Sequence, residues 1–178
     1  MEVFIRPLGR TLRVAAGVNL LDALRNNDIP VSYSCLAEHC GTCRCKHSGP
    51  MPCVAGGTGL APILSIIRRA IAQGMQNAIH LYFGVRSARD IYGGQWLAAL
   101  ERQHPQLKVH AVVTSGQVPG CRTGFVTEAI AQDWASLKGF RAYLYGAPPM
   151  VEATALLARQ MGVMPEQIHA DAFYTSGM

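Results

Sequence analysis

Two hydrophobic rhythms divide this chain. From Met51 onward, short apolar runs alternate with stretches whose apolar residues recur every three or four positions. The runs "MPCVA" (51–55), "AIHLYFGV" (78–85), "LKVHAVVT" (107–114), "RAYLYGA" (141–147) and "QIHADAF" (167–173) predict strands. The segments between them predict helices over 61–74, around 94–104, over 125–135 and over 148–162. Pro62 falls in the first turn of its helix, where its missing N–H is harmless, and Gly74 ends that helix. Strands that alternate with helices require right-handed crossovers, so the expected fold class is α/β, a parallel sheet covered on both faces.

The first 46 residues follow another pattern. Residues 2–6 and 10–14 predict two short strands joined by a turn at Pro7–Gly9. An amphipathic helix is predicted over 18–29, with Leu20, Leu21, Leu24 and Ile29 facing a core. An extended "PVSYSC" then leads into a loop rich in cysteine. The closing strands that such a small mixed fold needs do not follow, and "HSGP" passes directly into the second pattern. The expected organisation is a partial domain over 1–46, a junction over 47–50 and a domain over 51–178 long enough to fold alone.

Composition narrows the function classes. Apolar residues at 49% and charged residues at 15% place the chain among globular proteins and exclude a disordered one. The start "MEVFIRPLGR" carries no apolar segment behind a basic one, and no apolar run reaches membrane-spanning length, so a cytoplasmic protein without membrane contact is expected. The net charge of +5 is dispersed over residues such as Arg6, Arg10, Arg13, Arg68, Arg69, Arg86 and Arg89. It suits a phosphate-bearing cofactor or an acidic partner, and without a basic, aromatic-interleaved run it argues against nucleic acid.

Six cysteines in a reducing compartment call for chemistry other than disulfides, and four of them lie between Cys35 and Cys45. Cys35, Cys40 and Cys43 have the spacing C-x4-C-x2-C of the first three ligands of a plant-type [2Fe–2S] centre. Three thiolates converge there, and Gly41 leaves backbone N–H groups able to reach the sulfurs. Zinc is the rival, since Cys35, Cys40, Cys43 and Cys45 with His39 and His47 offer a tetrahedral donor set.

"CVAGGTGLAP" joins an apolar strand to a helix through a glycine turn. Gly56, Gly57 and Gly59 allow close backbone approach, Thr58 adds a hydroxyl, and the helix N-terminus favours a pyrophosphate. A second turn, "YGAPPM" (145–150), repeats the arrangement at Gly146. Arg86 and Arg89 follow the second strand, and NADH and NADPH remain equally open there. A nicotinamide releases two electrons as hydride, whereas a [2Fe–2S] cluster takes one at a time, so the two sites need an intermediary.

"VSYSCLAEHCGTCRC" resembles the ferredoxin-type domain of NADH-dependent reductases that serve aromatic ring-hydroxylating dioxygenases of the naphthalene and nitrotoluene type. "CVAGGTGLAPILSIIR", "HLYFGVRSARDIY", "RAYLYGAPPMVEA" and "IHADAFY" resemble the NAD-binding domain of the same reductases. The resemblance implies a β-grasp ferredoxin domain, a flavin-binding barrel and a nucleotide-binding domain in that order. It implies FAD as the intermediary, with the oxygenase component or its ferredoxin as electron acceptor. It also implies that Phe173 and Tyr174 are the aromatics that cover the flavin. The rest of the ferredoxin domain, the fourth cluster cysteine and the whole flavin barrel have no counterpart between Lys46 and Met51, the pattern of an internally deleted reductase. Three functions stand against one another: an electron-transfer oxidoreductase, a nucleotide-binding module without turnover, and a metal-binding cysteine loop.

Overall fold

The computed structural model describes residues 2–5, 10–15, 23, 26–27 and 49–173. The chain divides into two compact units, Met1–Leu36 and Ala37–Met178. In the first, β1 (Glu2–Ile5) and β2 (Arg10–Arg13) pair antiparallel, with Glu2 opposite Arg13 and Ile5 opposite Arg10. Of the helix predicted over 18–29, Ala23 is helical, and Asn27 donates its side-chain N–H to the Ala23 carbonyl at 2.9 Å. Asn26 and Asn27 form a turn where helix was predicted, because the Asn27 side chain bonds back to the backbone there, and the other residues of that helix lie outside the described residues.

The second unit is a doubly wound α/β fold. Its strands are β3 (Met51–Gly56), β4 (Ile79–Val85), β5 (Leu107–Val113), β6 (Arg122–Thr123), β7 (Ala142–Gly146) and β8 (Ile168–Ala172). They form one parallel sheet in the order β6-β5-β4-β3-β7-β8. The helices are α1 (Leu60–Ala72), α2 (Gly94–Gln103), α3 (Val126–Asp133) and α4 (Pro148–Gln160).

Successive strand residues point to opposite faces, so a strand covered on both sides must be apolar throughout. Cys53 and Ala55 of β3, Leu81 and Phe83 of β4, and Tyr143 and Tyr145 of β7 join one core with Leu60, Ile63 and Ile67 of α1. Val54, Tyr82 and Leu144 alternate with them and join the other core, with Val126 and Ile130 of α3 and Val151 of α4. On α1 the buried positions leave Ala61, Ser65 and Arg68 on the outer side, the stripe that periodicity predicts. Ile67 is wholly buried, and its truncation to Ala would cost about 2–5 kcal/mol.

The structure adds one strand to the sequence reading. β6 is two residues long, too short to show alternation, and exists because Arg122 and Thr123 pair with Val112 and Val113. Helix α3 also stops before the predicted end at 135. Trp134 leaves it in extended conformation and donates its indole N–H to the Tyr82 hydroxyl at 2.9 Å.

Candidate nucleotide site

Strand order reverses between β3 and β7. The chain winds outward from β3 through β4 and β5 to β6, then returns to lay β7 on the opposite side. The connections after β3 and β7 therefore leave in opposite directions, and a crevice opens beyond their carboxyl ends. Both predicted glycine turns lie there.

The two turns are locked by their lack of side chains. A Cβ on Gly146 would lie 2.9 Å from the Gly56 nitrogen and 3.0 Å from its Cα. A Cβ on Gly59 would run into the Tyr145 carbonyl and come within 2.9 Å of the Gly146 nitrogen. Met150 lies beside Gly56, Gly84 and Gly146, filling the space their missing side chains leave. Gly57 differs, since its φ of +52° demands glycine while a Cβ there would meet nothing within 4 Å. Gly57 and Thr58 are exposed, and Gly59 is buried.

Charge on the crevice follows from the helices. A short 3-10 turn, Gly57–Gly59, leads straight into α1, and Ala147 caps α4 with Pro148 in its first turn. Neither helix carries an acidic residue in its first turn. Pro148 and Pro149 have no N–H and the Met150 N–H is held by the Ala147 carbonyl, so α4 offers only the positive end of its dipole, and the N–H donors belong to the turn that leads into α1. The N-terminus of α1, with the positive end of the α4 dipole beside it, suits a pyrophosphate.

Phe173 lies at the same edge. Its backbone N–H donates to the Gly146 carbonyl at 2.8 Å, and its ring tilts against Tyr145 with centroids 6.4 Å apart. Arg86 follows β4, one strand over, with an exposed side chain and a carbonyl that accepts the Ser115 N–H at 2.9 Å. Gly56, Gly57, Thr58, Gly59, Gly146 and Phe173 thus come together, while Arg86 flanks them. Cys35, Cys40, Cys43 and Tyr174 lie outside the described residues. Among the described residues no group of three or more His, Cys, Asp or Glu could hold a metal, and Cys53 is buried in β3.

Sequence reasoning missed Tyr92. Its hydroxyl donates to the Gly57 carbonyl at 2.7 Å, and its ring meets Phe83 edge-on at 5.4 Å. Partial burial pushes its phenol above the usual value. A lone aromatic in a turn carries no sequence signal for this role.

Away from the crevice, β4, β5 and α3 hold a polar cluster that the sequence reading also missed. Tyr82 donates to Asp133 at 2.8 Å, and Arg122 pairs with the same carboxylate at 2.7 Å. Burial alone would raise the Asp133 carboxyl, but its hydrogen bonds from Arg122 and Tyr82 hold it below the carboxylate range. Burial, then the hydrogen bond to Asp133, pushes the Tyr82 phenol well up. His80 and His110 share a hydrogen bond of 3.2 Å, and burial lowers both imidazoles.

Comparison with known proteins agrees with this geometry. Residues 53–155 match the oxidoreductase NAD-binding domain family, and residues 3–60 match the 2Fe-2S iron-sulfur cluster binding domain family. The ferredoxin–NAD(P)+ reductase component of the naphthalene 1,2-dioxygenase/salicylate 5-hydroxylase systems of Ralstonia sp is 57% identical over 136 residues, 76% of this chain and 42% of the relative. The corresponding component of the naphthalene 1,2-dioxygenase system of Pseudomonas putida is 54% identical over the same shares. The solved structure of Amycolatopsis cytochrome P450 reductase GcoB aligns with TM-score 0.69 and 35% identity, covering 73% of this chain and 39% of that one. The chain therefore spans about two fifths of the length of these relatives. The two matched segments overlap at residues 53–60, leaving no residues between them. Among the described residues no helix is long and apolar enough to cross a membrane.

Proposed function

Because the chain belongs to the oxidoreductase NAD-binding domain family, we propose that residues 51–178 bind NAD(P)H as the nucleotide domain of an electron-transfer reductase. The observation that carries this reading is the pair of glycine turns, Gly56–Gly59 and Gly146, interlocked at the switch point under two helix N-termini. The N–H groups of the Gly56–Gly59 turn at the start of α1 hold the pyrophosphate, and Phe173 and Tyr145 border the crevice where a nicotinamide ring would lie. The nicotinamide supplies hydride chemistry when bound; the residues here bind, orient and shield it.

In the full-length relatives' arrangement, electrons from NAD(P)H pass through FAD and a [2Fe–2S] centre to a dioxygenase component or its ferredoxin, and we assign this chain to that role by kinship. Cys35, Cys40 and Cys43 are the proposed cluster ligands, with a fourth ligand missing. The domain limits proposed are 1–46 for the ferredoxin-type segment, 47–50 for the junction and 51–178 for the nucleotide domain.

A second reading, a nucleotide-binding module without turnover, is favoured by the overlap of the two family matches. The matched segments leave no residues between them for a flavin barrel. Calorimetric titration of the anaerobically purified chain with NADH, together with iron and flavin analysis and an NADH-to-dye assay, separates the readings. Saturable binding without dye reduction is expected of this chain alone. Dye reduction with bound flavin and iron would establish the complete electron path, and absence of nucleotide binding would refute both readings.

A further inference from the structure

We propose that Tyr92 is a positioning residue for the dinucleotide, its hydroxyl locking the Gly57–Thr58 peptide so that the Thr58 N–H faces the bound pyrophosphate. The inference rests on the nucleotide reading above and assigns a role to a side chain outside the glycine turn.

The Gly57 carbonyl accepts two hydrogen bonds, one from the Leu60 N–H and one from the Tyr92 hydroxyl at 2.7 Å. In a trans peptide the C=O and the next N–H point in opposite directions. Holding the Gly57 oxygen toward Leu60 and Tyr92 therefore aims the Thr58 N–H the other way, out of the helix N-terminus where an anion binds. The lock matters because the turn is otherwise permissive. Gly57 sits at φ +52° and carries no side chain, so its own ψ is the least restricted in the turn and the following peptide is the one that can swing. Rotation would present a carbonyl oxygen to the phosphates in place of an N–H.

Tyr92 is itself held from two sides. Its ring packs edge-on against the buried Phe83, and Gly93 at φ +70° turns the chain directly into α2. Two turns along α1 from its start, Arg68 stacks over Trp96 at 4.7 Å and ties the beginning of α2 to α1. The hydroxyl thus reaches the glycine turn from a fixed platform, which is what a positioning group requires.

The test compares the full chain with Tyr92→Phe and Tyr92→Leu. Tyr92→Phe removes the donor and keeps the ring on Phe83; Tyr92→Leu removes both. NADH affinity should fall about three- to tenfold in Tyr92→Phe, the size of effect one neutral hydrogen bond gives. Its melting temperature should stay within about 2 °C of wild type, and amide exchange should quicken at Gly59 and Leu60 while the sheet amides keep their protection. Tyr92→Leu should bind as weakly and melt lower. If wild type binds NADH and Tyr92→Phe binds it equally well, the positioning role is refuted and the nucleotide reading stands. If wild type binds none, the nucleotide reading fails and takes this role with it. Uniformly faster exchange across the sheet in Tyr92→Phe would mean a general structural role instead and would also overturn the proposal.

Discussion

Replacing Gly59 by alanine isolates the close approach of the two turns from the conformational freedom of glycine. Gly59 has φ −62° and ψ −13°, values any residue adopts, so the backbone itself has no objection to alanine. The obstacle is contact. The added Cβ meets the Tyr145 carbonyl, with the Tyr145 carbon at 2.5 Å and the Gly146 nitrogen at 2.9 Å. All are backbone atoms of β7, so no rotamer change relieves the clash and β3 and β7 must part at their carboxyl ends. Overpacking of this kind costs about 1–3 kcal/mol, and the rigid neighbours place Gly59→Ala at the upper end, about 2–3 kcal/mol. For a chain of this size that lowers the melting temperature by about 5–10 °C. Gly57→Ala is the control: its Cβ meets nothing within 4 Å, and left-handed strain of about 1–2 kcal/mol is partly offset by a less flexible unfolded chain. Thermal unfolding of the two variants, with NADH calorimetry, decides the matter. Gly59→Ala melting within 2 °C of wild type with undiminished NADH affinity would refute the interlocked-turn argument.

Acid should destabilise the nucleotide domain. Burial holds the folded imidazoles of His80 and His110 below their ordinary value of 6.5, so the stability of the neutral pair is complete above that pH and is lost as pH falls below it. The groups around the pair are Lys108, Glu101, Arg122 and Asp133, and the Asp133 carboxyl, also lowered, adds a further loss only as pH falls below 3.8. Melting temperatures from pH 7.5 to 5 should decline for wild type and flatten when both histidines become glutamine; parallel slopes would contradict this. Tyr82→Phe leaves the Trp134 indole and Asp133 without their hydroxyl partner and should cost about 1–3 kcal/mol in urea unfolding, whereas an unchanged midpoint would show the network contributes nothing. Arg86→Ala should weaken NADPH more than NADH in competition binding, and equal effects would remove Arg86 from contact with a 2′-phosphate.

The parallel sheet was legible because burial on both faces demands uninterrupted apolar runs, and β3, β4 and β7 supply them in "CVA", "LYFGV" and "AYLYG". The glycine turns were legible because strand–glycine–helix is a local pattern. Their meeting was not, since the Gly59–Tyr145 contact depends on how strands 86 residues apart in sequence are ordered. Tyr92 was hidden for the same reason: its partner lies 35 residues away. β6 escaped because two residues show no period, and the polar cluster because Tyr82, His80 and His110 read as ordinary members of apolar strands.

A 15N-resolved titration of the full chain with NADH tests the central claim most directly. The account predicts saturable amide shifts concentrated at Gly56–Leu60 and at Gly146, Ala147 and Met150, the intervening Pro148 and Pro149 having no amide, with Phe173 following through its bond to Gly146. Absence of saturable shifts, or shifts centred on the amino ends of the strands around His80, would contradict it.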